Sequence, residues 1–271
     1  MAEQPFAEVI GDPIAHSKSP LIHRFWLAAA GLEGDYRKVH VTAEGLADYF
    51  AQRRGDPAWR GCNVTVPHKR AVIDHVDDPG QVLDSIGAMN TIVRAQDASV
   101  FGTNTDAAGF YAPIAELDLA GQPVTVVGAG GAACAVLFAL KQIGVGQVTV
   151  LNRSPLKGVA MLHRFGLKGK ALPIDSGIGV PRLLVNASTM GMKGQPPFDP
   201  DLSGVPDDTW VYDLVYAPLE TPLLAAAHAR GLQTVDGLEM LVGQAALAFE
   251  LFFGVAPRRD RDEELRALLT A

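Results

Sequence analysis

The run Gly128-Ala129-Gly130-Gly131-Ala132-Ala133 carries the residue types that hold a pyrophosphate. It reads G-x-G-x-x-A. Gly128 and Gly130 stand where backbone must turn sharply and approach phosphate, and the small Ala133 lets a following helix pack closely on a sheet. Amides at the start of that helix, from Gly131 and Ala132 onward, would face the phosphates along the favourable direction of the helix dipole. The plain alternative is a glycine-rich strand-to-helix turn that binds nothing. About where NAD-binding units place an acid for the ribose 2′-hydroxyl, the chain reads Asn152-Arg153-Ser154, with no Asp or Glu. Arg153, with Lys157 a few residues on, suits a 2′-phosphate, and Asn152 and Ser154 can add hydrogen bonds, so NADP is expected rather than NAD. The same residues also read as a helix start, with Ser154 as cap and Pro155 behind it.

Other polar residues sit where chains of this type meet ligands. Ser17 and Ser19 precede and open a helix, and two hydroxyls with first-turn amides make a cradle for a small hydroxylated anion; capping alone accounts for Ser19. Thr65 and Lys69 fall in Asn63-Val64-Thr65-Val66-Pro67-His68-Lys69, where a strand gives way to a helix expected over Pro67–Val76. A lysine in a helix's first turn is opposed by the dipole, which favours a function for Lys69 over a solvated side chain. Asp106 opens another helix, as an N-cap or as a first-turn acid. Gln244 lies on an apolar helical stripe, where it serves either a core network or a ligand hydroxyl.

Around these residues the hydrophobic pattern alternates strand and helix. Strands are expected at Phe6–Gly11, Tyr36–Val41, Trp59–Val66, Ala88–Arg94 and Ser99–Thr103. The first helix, Ser19 to about Ala30, is expected to bury Leu21, Phe25 and Ala28. A second spans Ala43–Arg53, capped by Thr42. From Asp106 a helix runs to about Leu117, with a domain boundary near Gly102–Asp106. Val124–Val127, the glycine turn, a helix to about Ile143 and Val148–Leu151 form a βαβ unit. Helix Pro155–Phe165, strands Lys170–Leu172, Leu183–Val185, Trp210–Val215 and Thr234–Asp236, and a helix from about Thr221 follow. The pattern implies an α/β fold with a mainly parallel sheet covered on both faces. The last long helix, Leu238–Phe253, carries Met240, Gln244, Leu247 and Leu251 on one stripe, and Arg258–Leu269 is a charged terminal helix.

Composition narrows the class. The chain has 271 residues, 48% hydrophobic and 20% charged, with net charge −7, enough for two modest domains of ordinary globular make-up. No Lys/Arg cluster is long enough for a nucleic-acid stripe, so no nucleic-acid partner is expected. Cys62 and Cys134 lack metal-type spacing, and no metal site is expected. Met1–Ile10 has no basic, apolar leader and no run is long enough to span a bilayer, so a cytoplasmic protein with no membrane partner is expected.

Taken together, His16-Ser17-Lys18-Ser19-Pro20, Asn63–Lys69, Gly87-Ala88-Met89-Asn90-Thr91, Asn104-Thr105-Asp106, Gly128–Ala132, Asn152-Arg153-Ser154 and the Gln244 helix occur in the order found in the shikimate dehydrogenases. The chain resembles that family along nearly its whole length. The resemblance implies NADPH-dependent, reversible reduction of 3-dehydroshikimate to shikimate in aromatic amino-acid biosynthesis, by a monomer or homodimer. It implies an N-terminal α/β substrate domain, 1–103 with 238–271, to which the C-terminal helices return, and a Rossmann-type NADP-binding domain, 104–237, with the active site in the cleft between. Positions matching Ser17, Ser19, Thr65, Asn90, Asp106, Tyr216 and Gln244 bind substrate in the family. Those matching Lys69 and Asp106 are its catalytic pair, and those matching Leu214, Gly237 and Met240 lie beside the nicotinamide. Arg24 stands where many relatives have Asn, and Met89 replaces a commoner Val.

The implied chemistry agrees with the residue types. Hydride transfer to a carbonyl creates an alkoxide that must gain a proton, which Lys69 can supply while Asp106 orients it. Alternatives are an NAD-dependent quinate/shikimate dehydrogenase, disfavoured by Arg153-Ser154, and a non-catalytic NADP-binding regulator, disfavoured by the presence of both Lys69 and Asp106. A folate-dehydrogenase relative fits the architecture but not the set of hydroxyl-binding residues.

Overall fold

The computed structural model describes residues 4–271. Two compact units are present: residues up to Thr105 together with Val242–Ala271, and Asp106–Leu241. The first contains β1 (Phe6–Gly11), α1 (Ser19–Ala30), β2 (Asp35–His40), α2 (Leu46–Arg54), β3 (Trp59–Val64), a 3₁₀ turn (Ala71–His75), α3 (Val82–Ser85), β4 (Thr91–Arg94) and β5 (Val100–Thr103). The second runs through α4 (Asp106–Tyr111), β6 (Val124–Val127), α5 (Gly131–Ile143), β7 (Val148–Leu151), α6 (Pro155–Phe165), β8 (Gly169–Leu172), β9 (Leu183–Asn186), β10 (Trp210–Asp213), α7 (Pro222–Ala229) and β11 (Gln233–Val235). The unit boundary falls within α8 (Gly237–Phe253), and α9 (Asp262–Thr270) belongs to the first unit.

Among the described residues the first sheet is ordered β2-β1-β3-β4-β5. β1 pairs in parallel with β2 and β3, while β4 and β5 close the sheet antiparallel. Both faces of β1 are covered, which suits its mainly apolar run; its one charged residue, Glu8, is buried but paired with Arg53 and hydrogen-bonded by Tyr49. Ala7, Val9, Tyr36 and Val93 from the sheet pack with Ala248 and Phe252 of α8, so the chain's C-terminal part completes the core begun by its N-terminal part.

Two helical faces differ from the sequence reading. On α1 the buried residues after the Ser19-Pro20 start are Ile22, His23, Trp26 and Leu27, and Leu21 is exposed. On α8 the expected stripe is half met: Met240 and Gln244 are buried, but Leu247 and Leu251 are exposed, and Ala245, Ala248, Phe249 and Phe252 are buried beside them. Each helix carries two apolar stripes of near-equal periodicity, and the sheet selects the one bearing the bulkier rings.

The second sheet is wholly parallel, ordered β11-β10-β9-β6-β7-β8. After β6 the chain moves outward through β7 and β8, then returns to place β9 on the other side of β6. The switch point therefore lies between β6 and β9, and in such sheets ligands bind outside the carboxyl ends of the strands there. The glycine turn follows β6 directly.

Candidate active site

In the second unit, Gly128 turns with φ +107, a conformation that L side chains rarely adopt, and a Cβ there would meet the Ala187 carbonyl oxygen at 2.9 Å. Only glycine fits. A Cβ on Gly130 would meet nothing within 4 Å, so the missing side chain opens space above the start of α5, where Gly131, Ala132 and Ala133 present first-turn amides. Ala129 is half-buried and Ala133 fully buried against the sheet. The Gly128 amide donates to the Leu151 carbonyl at 2.8 Å, so Asn152-Arg153-Ser154 leaves β7 beside the glycine turn. Arg153 and Lys157 are exposed there, and Asn152 Nδ2 donates to the Ser154 carbonyl at 2.8 Å. Ser154 occupies the cap position of α6, but its side chain makes no capping hydrogen bond. A cradle of amides with open space above it, flanked by a solvent-facing guanidinium and no carboxylate, fits NADP.

Leu214 and Gly237 share the same sheet edge. The Leu214 amide donates to the Asn186 carbonyl at 3.0 Å. A Cβ on Gly237 would lie 2.6 Å from the Leu214 carbonyl, so only glycine lets the start of α8 approach so closely. Met240 is buried one turn into α8. Tyr216 follows β10, and burial pushes its phenol above the ordinary tyrosine range. Asp213, at the end of β10, is buried; that desolvation pushes its carboxyl up to about 6, against the pull of hydrogen bonds from Val215 N, Thr221 Oγ1 and Asn186 Nδ2. Asp106 is buried as the first residue of α4, not as a preceding cap.

The first unit gathers its polar residues at one edge of its sheet. Ile10 and Val64 are partners, the Thr65 amide donates to the Ile10 carbonyl at 3.0 Å, and the Asp12 amide donates to the Val66 carbonyl at 3.1 Å. The loops after β1 and β3 thus run side by side, the first carrying Ser17 and Ser19, the second Thr65 and Lys69. Ser17 Oγ accepts from the Ser19 amide at 3.3 Å, and Ser19 itself is the buried first residue of α1, with no side-chain cap. The expected capping role of Ser19 is therefore taken, in a loose form, by Ser17.

The helix expected over Pro67–Val76 is absent: residues 66–70 are turns, followed by the 3₁₀ turn. Buried His68 holds the loop, its amide donating to the Thr65 carbonyl at 2.9 Å and its Nε2 lying 2.6 Å from the Val41 carbonyl oxygen. The dipole argument for Lys69 accordingly does not apply. Its carbonyl instead accepts from the Met89 amide at 2.7 Å, which ties Lys69 to the residue preceding Asn90.

Asn90 is buried at the centre of a hydrogen-bonded cluster. Its Oδ1 accepts from the Thr105 amide at 2.7 Å, and its Nδ2 donates to Thr105 Oγ1 at 2.9 Å and to Gln244 Oε1 at 3.2 Å. Gln244 is thus a member of a buried hydrogen-bond network, the first of its two readings. Asn63, Thr91 and Thr105 complete the cluster without having been singled out by the sequence, although all three lie in its quoted motifs. Buried polar residues at strand ends were the available signal. The structure brings Ser17, Ser19, Thr65, Lys69, Asn90 and Gln244 together in the first unit. Asp106, Tyr216 and the cofactor-type residues belong to the second.

Among the described residues, no three His, Cys, Asp or Glu side chains are grouped to hold a metal ion, and no helix is long and apolar enough to cross a membrane.

Comparison with known proteins agrees with this geometry. The family model described as "Shikimate dehydrogenase substrate binding domain" matches residues 9–92, and that described as "Shikimate 5'-dehydrogenase C-terminal domain" matches residues 237–264. A shikimate dehydrogenase (NADP(+)) from Sphingopyxis alaskensis is 68% identical over 267 residues, covering 98% of this chain and 97% of the relative. Shikimate 5-dehydrogenase from Thermus thermophilus, solved in complex with NADP(H) and shikimate, superposes with a TM-score of 0.86 at 38% identity, covering 98% of this chain and 99% of that one. Quinate dehydrogenase from Corynebacterium glutamicum, in complex with NAD, gives a TM-score of 0.84 at 31% identity over 98% of this chain and 99% of that one. With identity of this level along nearly its whole length, the chain belongs to the shikimate dehydrogenase family.

Proposed function

We propose that Lys69 and Asp106 are the catalytic pair of an NADP-dependent shikimate dehydrogenase, and that Ser17, Ser19, Thr65, Asn90, Tyr216 and Gln244 hold its substrate. The overall activity is the reversible NADPH-dependent reduction of 3-dehydroshikimate to shikimate, a step of aromatic amino-acid biosynthesis. In this reading the first unit takes the substrate and the second the cofactor, and the enzyme works in the cytoplasm as a monomer or homodimer. The observation that carries it is the near-full-length relationship to NADP-dependent relatives, joined to an edge of the first sheet that gathers Ser17, Thr65, Lys69 and Asn90.

NADPH, when bound, supplies the hydride that adds to the substrate's carbonyl carbon. The chain's own residues do the rest. Lys69 delivers a proton to the carbonyl oxygen as it gains charge, so that the ketone becomes a hydroxyl; in the reverse direction Lys69 removes that proton. Asp106 accepts a hydrogen bond from a neighbouring hydroxyl and keeps the lysine in place. Ser17 and Ser19 bind the carboxylate as neutral donors, and Thr65, Asn90, Tyr216 and Gln244 fix the ring hydroxyls, so that the carbonyl is presented in one orientation. The first-turn amides of Gly131 and Ala132 hold the pyrophosphate, and Arg153 with Asn152, Ser154 and Lys157 holds the 2′-phosphate. Leu214, Gly237 and Met240 line the nicotinamide side.

The test is a steady-state matrix of shikimate and quinate against NADP and NAD. Highest kcat/KM for shikimate with NADP supports the reading. The relative from Corynebacterium glutamicum raises a second one, quinate oxidation with NAD; a preference for quinate with NAD would establish it and refute the first.

A further inference from the structure

The carboxylate of Asp213 has no part in the chemistry assigned above, yet it is fully buried where β10 ends and takes hydrogen bonds from three separate segments. Its Oδ1 accepts from Asn186 Nδ2 at 2.9 Å, at the end of β9, and from the Val215 amide at 3.0 Å, in the loop after β10. Its Oδ2 accepts at 2.7 Å from Oγ1 of Thr221, the residue that caps α7. None of the three can reverse. Asn186 Oδ1 accepts from the Ser188 amide at 3.1 Å and its Nδ2 also donates to the Met190 carbonyl at 3.0 Å, which fixes that side-chain amide. Val215 offers a peptide N–H. Thr221 Oγ1 already accepts from the Leu224 amide at 3.2 Å, and toward an ionised carboxylate, which only accepts, it donates.

The three segments meet around loop 214–221. Val215 and Thr221 stand near its two ends, so Asp213 closes the loop onto the strand it leaves, and Asn186 moors it to β9, which borders the switch point. The Lys193 amide donates to the Ala217 carbonyl at 3.1 Å, a further tie to the loop after β9. The loop also lies hard against the start of α8, since a Cβ on Gly237 would fall 2.5 Å from the Val215 carbonyl oxygen and 2.6 Å from that of Leu214. Asp213, Asn186, Val215 and Thr221 are all buried, so water cannot readily replace a lost link. Leu214 and Tyr216 flank Val215 and are held with it as one piece.

We infer that Asp213 is a positioning residue for hydride transfer: by gathering Asn186, Val215 and Thr221 it holds Leu214 and Tyr216 in one fixed relation, and with them the nicotinamide and the substrate carbonyl. The inference rests on the reading of Leu214 as a neighbour of the nicotinamide and of Tyr216 as a substrate ligand. Asp213 itself touches neither ligand. It has no hold on the adenosine end of the cofactor, which Arg153 meets after β7, with β9 and β6 lying between β10 and that strand.

The experiment measures, on full-length protein, equilibrium affinity for NADP and for adenosine 2′,5′-bisphosphate, a fragment with the 2′-phosphate but no nicotinamide, together with steady-state kinetics and thermal melting. Thr221→Val keeps the shape and loses one bond to Asp213; Asp213→Leu keeps approximate volume and loses all three. Thr221→Val should weaken NADP about three- to tenfold, the range of one net hydrogen bond, and Asp213→Leu at least as much, with the fragment bound as in wild type. In both, kcat should fall about 10- to 100-fold, because 1 Å of misplacement costs about 10²-fold. Asp213→Asn and Thr221→Ser keep a hydrogen-bonding group in place and should stay within about threefold of wild type. A purely structural role predicts lower melting temperatures with kcat and NADP affinity unaltered, and that result overturns the inference. Equal weakening of NADP and the fragment overturns it too, because the damage then extends to the whole cofactor site. Should Asp213→Leu fail to fold, Thr221→Val against Thr221→Ser decides the matter. If Tyr216→Phe leaves the shikimate KM unchanged, the substrate reading of Tyr216 falls and the inference with it. If Tyr216→Phe raises that KM while Asp213→Leu and Thr221→Val behave as wild type, the inference alone is refuted.

Discussion

His23 should make the first unit sensitive to acid, and replacing it should remove that sensitivity. The ring is fully buried in α1, stacked on Tyr36 with centroids 4.0 Å apart and planes 4° from parallel, and edge-on to Trp26. Neither ring nitrogen has a hydrogen-bond partner among the described residues. Burial depresses its pKa from 6.5 to about 3. Above pH 6.5 the imidazole is neutral folded or unfolded and contributes nothing to the pH dependence. Below pH 6.5 the unfolded chain takes up a proton that the folded one refuses, so stability falls as pH falls, by about 1.4 kcal/mol per unit until the folded pKa is reached. From pH 7 to 4.5 the loss from this one group is about 2.7 kcal/mol.

His23→Phe keeps a flat ring and cannot be protonated. Its neutral-pH stability reflects two opposed effects, relief of a dry imidazole and the fit of a larger ring, so the slope rather than the absolute value is diagnostic. Urea unfolding followed by tryptophan fluorescence suits the measurement, since Trp26 and Trp59 are both buried in the first unit. The wild-type minus variant stability should become more negative by about 2.7 kcal/mol between pH 7 and 4.5. Parallel curves across that window would refute the description of His23 as buried, neutral and unpaired.

Asp213 should show the opposite sign: its folded pKa is raised from 3.8 to about 6, so the folded chain holds the proton more tightly, and stability falls as pH rises through that interval, by about 3 kcal/mol. Asp213→Asn should be flat there by comparison; because the two slopes oppose each other in wild type, each appears only in the difference from its variant. Arg153→Ala should weaken NADP by about 1.5–3 kcal/mol, the scale of a charge-assisted hydrogen bond to phosphate, and leave NAD nearly unchanged; equal losses for both cofactors would remove Arg153 from the 2′-phosphate site. Lys69→Ala should lower kcat by about 10²-fold or more with the NADP KM unaltered, and Asp106→Asn should impair kcat without adding to that loss. A Lys69→Ala enzyme with near-normal kcat would return that residue to the protein surface.

The glycine turn, the βαβ unit and helix Pro155–Phe165 were legible in the sequence because their determinants are local. Gly128 is required by a backbone angle, Pro155 by the geometry of a first turn, and neither depends on what packs from afar. Strand positions were legible too, for β-branched apolar runs suit a sheet covered on both sides. The expected helix after Pro67 failed for the complementary reason: His68 turns inward to the Val41 carbonyl, a contact from another loop that no local propensity registers. Leu21 of α1 and Leu247 and Leu251 of α8 were misassigned to buried faces because periodicity defines a helix face only up to rotation, and packing chose the faces bearing Trp26 and Phe249, while Met240 and Gln244 were placed correctly.

Residue types and their order alone determined the class of fold, the phosphate-binding turn, the expectation of a 2′-phosphate from Arg153, and the roster of hydroxyl- and amide-bearing residues for a polar substrate. Tertiary structure alone decided which of them meet. Asn90 and Gln244 are separated by 154 positions in the chain and 3.2 Å in space, brought together because α8 returns to pack on the sheet that β1 begins. The orientation of the Asn90 amide depends in turn on the Thr105 backbone N–H, which donates to its Oδ1 at 2.7 Å. Local steric rules act between neighbours in the chain, whereas a hydrogen-bond direction is fixed only when every partner is in place.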